Sequence, residues 1–194
     1  MRTPRDWQSI RVQAGFTMTE LLVTMGIAAM LMAIGVPSYR YVTYSNRVST
    51  EINSLLGDMQ YARSEAVKEG QAVSMCPANS DYTACAASTS WQSGWIIFSD
   101  INNDHTIASS ANILRVRQKL SSNPQDTLVA DNTMQFVTFN REGFATAFPA
   151  TVTGYVTFTL HTTPNKAEWT RCLQIFSTGM MNTERTTDPQ GNCS

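Results

Sequence analysis

The stretch Gln13-Ala-Gly-Phe-Thr-Met-Thr-Glu-Leu-Leu-Val-Thr-Met-Gly-Ile-Ala-Ala-Met-Leu-Met-Ala-Ile-Gly-Val-Pro-Ser-Tyr39 decides how the rest of the chain is read. From Leu21 to Val36 the single polar side chain is Thr24, so the run is apolar enough and nearly long enough to cross a bilayer as a helix. Glu20 stands at its mouth. A carboxylate inside such a segment costs about 2–3 kcal/mol or more unless it is partnered. The residues before Gly15 are polar, carry Arg2, Arg5 and Arg11, and have no apolar centre of their own. A secretory signal is cut behind its apolar region after small residues, and Gly35-Val36-Pro37 is a poor site of that kind. A plain signal-anchor helix explains the apolar run but not the position of Glu20.

Outward from this stretch the pattern stays helical and then changes. Val48, Ile52, Leu55, Met59, Ala62 and Ala66 recur at spacings of four and three, which predicts an amphipathic helix over 46–69 lying on a folded domain. Gly26, Gly35 and Pro37 weaken the helix between its halves, so a kink or loosened turn is expected near 35–37. Lys68 and Gly70 mark its end. Beyond Gly70 short strands follow, at 71–76, 94–98, 113–117, 134–139, 144–148, 155–161 and 172–176. Tyr155-Val-Thr-Phe-Thr-Leu160 alternates apolar with polar residues as a half-buried antiparallel strand does. Asn140-Arg-Glu-Gly143 reads as a hairpin turn.

Composition fits an extracytoplasmic β-rich protein, with 194 residues, 15% charged and a formal charge of −1. Without the three arginines and Asp6 of the first fifteen residues, 11 cationic groups face 14 anionic ones. Such a surface has no global attraction for nucleic acid or anionic lipid. The four cysteines allow three pairings, and short loops close most readily, which favours Cys76–Cys85 and Cys172–Cys193. Their spacings do not suit a zinc knuckle.

The octet Gly15-Phe-Thr-Met-Thr-Glu-Leu-Leu22 resembles a type IV prepilin leader junction, with Met18 where leucine is commoner. The resemblance implies cleavage between Gly15 and Phe16 by a prepilin peptidase, N-methylation of Phe16, and a Glu20 that pairs with a neighbouring subunit's terminal amine. It also attaches helix melting in assembled filaments to Pro37. Cys76, the run Trp91-Gln-Ser-Gly-Trp-Ile-Ile-Phe-Ser-Asp100, Phe139-x-x-x-Gly143 and Gly179 resemble the FimT/FimU/GspH group of minor pilins and pseudopilins. That group implies an α+β fold, a long N-terminal helix packed on an antiparallel two-sheet β domain. The implied division is a removed leader over 1–15, a transmembrane assembly helix over 16–37, an amphipathic half over 38–70 and a β domain over 71–194.

Several further sites have two readings. Asp100-Ile-Asn102-Asn-Asp104 opens like a calcium loop, but His105 stands where that loop needs glycine and Ala111 where it needs glutamate; an Asx-rich turn explains the same residues. Trp91, Trp95 and Phe98 could stack sugars or bases, and core packing is the better reading. With His105 and His161 the only histidines, no nucleophile elbow and no phosphate loop, neither an enzyme nor a cofactor or metal is expected. FimT-like proteins are implicated in DNA uptake through arginines after the last strand. Here Met180 and Met181 follow Gly179, which leaves Lys166, Arg171 and Arg185 as the DNA-binding candidates against a disulfide-pinned loop.

The expected function is therefore a minor type IV pilin of the pilus tip or initiating complex. A minor pseudopilin of a type II secretion system and a DNA-binding pilin are the alternatives. Other major and minor pilins, prepilin peptidase, the inner-membrane assembly platform and, before assembly, membrane lipid are the expected partners. The protein is placed in the inner membrane with a periplasmic domain, and then on the cell surface.

Overall fold

The computed structural model describes residues 15–121, 125–131, 134–148, 154–163, 166–188 and 191–193. The leader expected over 1–15 lies outside these residues except for Gly15. The helix α1 spans Met18–Glu69. Nine strands follow among the described residues: β1 Val73–Pro77, β2 Gly94–Ser99, β3 Ile113–Gln118, β4 Asp126–Ala130, β5 Phe136–Phe139, β6 Ala145–Phe148, β7 Tyr155–Thr162, β8 Arg171–Phe176 and β9 Met181–Arg185.

Two compact units meet between Tyr41 and Val42. In the first, every described residue up to Tyr41 is exposed, as an apolar helix must be when nothing in its own chain covers it. The loosened turn expected near 35–37 is absent, because α1 continues unbroken through Gly35 and Pro37. Proline deletes one hydrogen-bond donor, and the helical bonding on either side survives it. The unit boundary falls four residues beyond the expected 37/38 division, near where burial begins with Tyr44 and Val48.

The second unit holds the core. Val48, Ile52, Leu55, Met59, Ala62 and Ala66, the stripe legible in the sequence, are all buried. They pack on two antiparallel sheets, one ordered β3-β2-β1-β5-β6 and the other β4-β7-β8-β9. Val73, Met75, Trp95, Ile97, Val137 and Phe139 of the first sheet and Leu128, Val156, Phe158, Leu160, Leu173 and Ile175 of the second join the stripe in one cluster. Trp91 and Phe158 meet edge to face at 5.0 Å, a favourable aromatic geometry. Gly70, at φ +69, ends the helix where glycine best tolerates a left-handed backbone, and its N–H closes on Ala66 O at 3.0 Å.

Strands β1 and β2 of the first sheet are buried along their whole length, on both faces. Cys76, Ala78, Ile96 and Phe98 form a second cluster with Tyr82, Cys85, Ile107, Ile113 and Phe136, beneath the loops that follow β1 and β2. This is why Gly94–Ser99 reads as an unbroken apolar run rather than an alternating one. Trp91, Trp95 and Phe98 are fully buried, so the stacking-patch alternative fails and they are core.

Seven strands were legible to within two residues. The expected 71–76 starts at Val73, and 134–139 starts at Phe136. The hairpin turn joins β5 to β6 as read, with Asn140 Oδ1 accepting from the N–H groups of Glu142 and Phe144, and Gly143 at φ +81. Two strands were missed. β4 buries Asp126 and exposes Val129, which hides its alternation; β9, Met-Asn-Thr-Glu-Arg, is a mostly exposed edge without apolar alternation. The tail after Gly179 therefore begins as a strand paired to β8, not as a loop.

Candidate assembly helix and the clamps of its domain

Thr17 starts the helix. Its side-chain oxygen accepts the Glu20 N–H at 3.2 Å, an N-terminal cap that places the Glu20 carboxylate in the first turn, where the helix dipole favours an anion. Phe16 lies just outside and is 82% exposed. Within the apolar run, Thr24 donates its hydroxyl to Leu21 O at 2.9 Å, so the one polar side chain there is satisfied by its own helix. By length and composition α1 can cross a membrane. Gly15, Phe16, Glu20 and Pro37 thus lie in an exposed segment whose charged member stands at its start.

In the globular unit, three polar side chains of α1 fasten the helix to the sheets. Asp58 is buried to 1% exposure and accepts from Trp95 Nε1 at 2.9 Å, Arg115 Nη1 at 2.9 Å, and Arg117 Nε and Nη2 at 2.9 and 3.1 Å. Burial by itself pushes this carboxyl upward, but the bonds from Arg117, Arg115 and Trp95 outweigh it and hold Asp58 below the usual aspartate value. Arg115 also lies over the Tyr61 ring at 3.7 Å. Nearer the end of the helix, Arg63 donates to the carbonyls of Gly143 at 3.0 Å and Thr178 at 3.4 Å, binding the β5–β6 turn to the β8–β9 turn. A Cβ on Gly179 would stand 2.0 Å from Gly143 O, so glycine is a steric requirement there. Nearer its start, Arg47 bridges Asp126 on β4 at 2.7 Å and Thr162 on β7 at 2.6 Å.

The family profile described as type II transport protein GspH matches residues 51–179, and that of the prokaryotic N-terminal methylation motif matches residues 10–36. The chain belongs to the GspH family. No curated protein sequence matches this GspH-family chain. Among solved structures, the type IV minor pilin FimU of Pseudomonas aeruginosa (strain PAO1) is similar in two crystal forms. One has a TM-score of 0.56 at 24% identity, covering 74% of this chain and 92% of FimU. The other has a TM-score of 0.50 at 25% identity, covering 71% and 90%. The likeness shows the pilin fold, a long apolar helix on a two-sheet domain. Family and fold together place the protein among minor pilins and pseudopilins, which are membrane-anchored structural subunits that meet other pilins and an assembly machinery.

The GspH match spans Asp58, Arg63 and Gly143 and ends on Gly179, so it covers the middle and distal clamps. The sequence marks both glycines, but not Arg63, which packs against them, nor Asp58. Asp58 and Arg63 lie between the apolar positions of the stripe, and nothing in the helix's own sequence points to their distant partners.

Both disulfides join the expected partners, Cys76 to Cys85 and Cys172 to Cys193. Asp100 is 1% exposed; its Oδ1 accepts the Asp104 N–H, and its Oδ2 accepts the His105 N–H and the Ser74 hydroxyl. Asn103 and His105 take left-handed φ values of 54° and 59°, which gives an Asx-stabilised turn. Among the described residues no group of three His, Cys, Asp or Glu side chains could hold a metal. His105 stacks on Phe136, and His161 lies 3.3 Å from Thr170 Oγ1. Arg171 is 5% exposed and donates to the carbonyls of Glu168 and Thr170 and to Ser45 Oγ, so it braces the domain. Arg171 and Arg185 are register partners lining a cavity of about 230 Å³, which Glu184 shares. Lys166 sits elsewhere, over the Trp169 ring and 3.7 Å from Glu168.

Proposed function

We propose that the protein is a minor pilin of a type IV pilus, working in the tip or initiating complex by docking α1 and its β domain onto other pilins. The observation that carries this is the exposed apolar helix that begins directly behind Gly15-Phe16 with Glu20 in its first turn. Cleavage after Gly15 leaves that helix attached to the domain and creates an ammonium at Phe16. In the low dielectric between stacked helices, Glu20 of one subunit pairs with that ammonium on the next, which fixes axial register. The protein waits in the inner membrane with its domain in the periplasm and reaches the surface in the filament.

The test is to shear surface filaments, identify co-purifying subunits by mass spectrometry and determine the N-terminus. A methylated Phe16 together with other pilins is the expected result. A chain that retains Met1 and is absent from filaments would end the proposal. The GspH profile favours one second reading, a minor pseudopilin of a type II secretion system, and recovery of secretion-system partners would establish it. DNA binding has less to stand on, since Arg171 is occupied and Arg185 and Lys166 each have an acid beside them. A salt-dependent gel shift lost in Arg185→Ala would restore it.

A further inference from the structure

Near the start of the domain's helix, two acids flank one guanidinium: Glu51 follows Arg47 by one turn of α1, and Arg47 holds Asp126 of β4 at 2.7 Å. Glu51 of α1 is 9% exposed and Asp126, the first residue of β4, is fully buried. One oxygen of each is accounted for: Asp126 Oδ1 takes the Arg47 guanidinium, and Glu51 Oε1 accepts the Ser121 hydroxyl at 3.3 Å. The other two, Glu51 Oε2 and Asp126 Oδ2, are buried without a hydrogen-bond partner, as is Arg47 Nε. Buried acceptors left open are destabilising, and two adjacent carboxylates cannot both ionise cheaply beside one cation. A divalent cation does not answer the need, because two carboxylates and a hydroxyl beside a guanidinium are a poor oxygen cage. A proton does, since it turns one carboxylate into a donor for the other.

We propose that Glu51 and Asp126 share one proton in the folded protein, and that this proton closes a latch between α1 and β4. The groups around the pair agree. Arg47 is the cation in contact with it, Thr162 on β7 and Ser121 are uncharged, His161 on β7 turns to Thr170, and Arg171 at the head of β8 reaches Ser45. Burial, then the hydrogen bond and charge of Asp126, push Glu51 up to about 7 against the opposing effects of Ser121 and Arg47. The folded protein therefore keeps a proton that the unfolded chain releases above its ordinary value of 4.5. Stability falls as pH rises through that window and levels off above about 7.

The experiment uses the full chain in detergent micelles. Unfolding equilibria of the wild type and Glu51→Gln, whose amide keeps a donor but does not titrate, are compared from pH 5 to 8. The ratio of wild-type to variant unfolding constants is expected to rise by up to about tenfold per pH unit below 7 and then flatten. Infrared spectra should show a protonated-carboxyl band in the wild type at pH 6 that is lost by pH 8. In Asp126→Asn the midpoint should move down, because the repelling anion is gone. A flat ratio, or no such band at pH 6, overturns the proposal. The wild-type infrared titration decides the matter even if Glu51→Gln does not fold.

Discussion

Replacing Asp58 by alanine tests whether the polar clamps, and not the apolar stripe alone, hold the helix on its sheets. The change strips Trp95 Nε1, buried in the core, of its acceptor, at a cost of about 1–3 kcal/mol. It also removes the three guanidinium bonds from Arg115 and Arg117. Those side chains are 42% and 44% exposed and regain water, so each bond counts for about 0.5–1 kcal/mol. The expected loss is about 2.5–6 kcal/mol, a large part of the stability of a domain this size. Urea unfolding at pH 7 measures it. Because the folded Asp58 carboxyl lies below its ordinary value of 3.8, its contribution is complete above that pH and is lost as pH falls through the folded value. The gap between wild type and Asp58→Asn should therefore be constant above about pH 5 and close in acid. A loss below about 1 kcal/mol at pH 7, or a gap that persists in acid, would refute the reasoning.

Gly179→Ala should cost at least about 2 kcal/mol, because a left-handed backbone and contact with Gly143 O and Arg63 Nε both oppose a Cβ; thermal melting checks this. Paired serine substitution of Cys172 and Cys193 should lower stability by about 3 kcal/mol in denaturant titrations. Glu20→Ala should leave the melting temperature of the domain unchanged and remove the protein from sheared filaments; undiminished recovery with filaments would show that the carboxylate does not dock.

What could be read from the sequence was whatever periodicity or a special backbone position encodes. The stripe from Val48 to Ala66 faces the core because helix period and burial coincide. Gly70 and Gly143 mark a helix end and a turn because few other residues tolerate their φ values. The edge strand β9 was illegible, since its polar side chains carry no alternation and its pairing is imposed by β8 through the turn at Gly179. Asp58, Arg63 and the Glu51–Asp126 pair were illegible for another reason. Their partners lie 57, 80 and 75 positions away in the chain, and a lone charge on a helix looks solvated until the sheets have folded around it.

Thr24 has a consequence for how the subunit travels. With its hydroxyl turned back on Leu21 O, nothing between Glu20 and Pro37 demands a particular neighbour. On the proposed assembly route, the segment trades acyl chains for the flanks of sister helices without breaking a hydrogen bond, and so leaves the bilayer with little preference for rotation or depth. Directionality must then come from its first turn and from the headpiece it carries. Introducing a second hydroxyl or amide midway would give the shaft a preferred lodging and slow its departure.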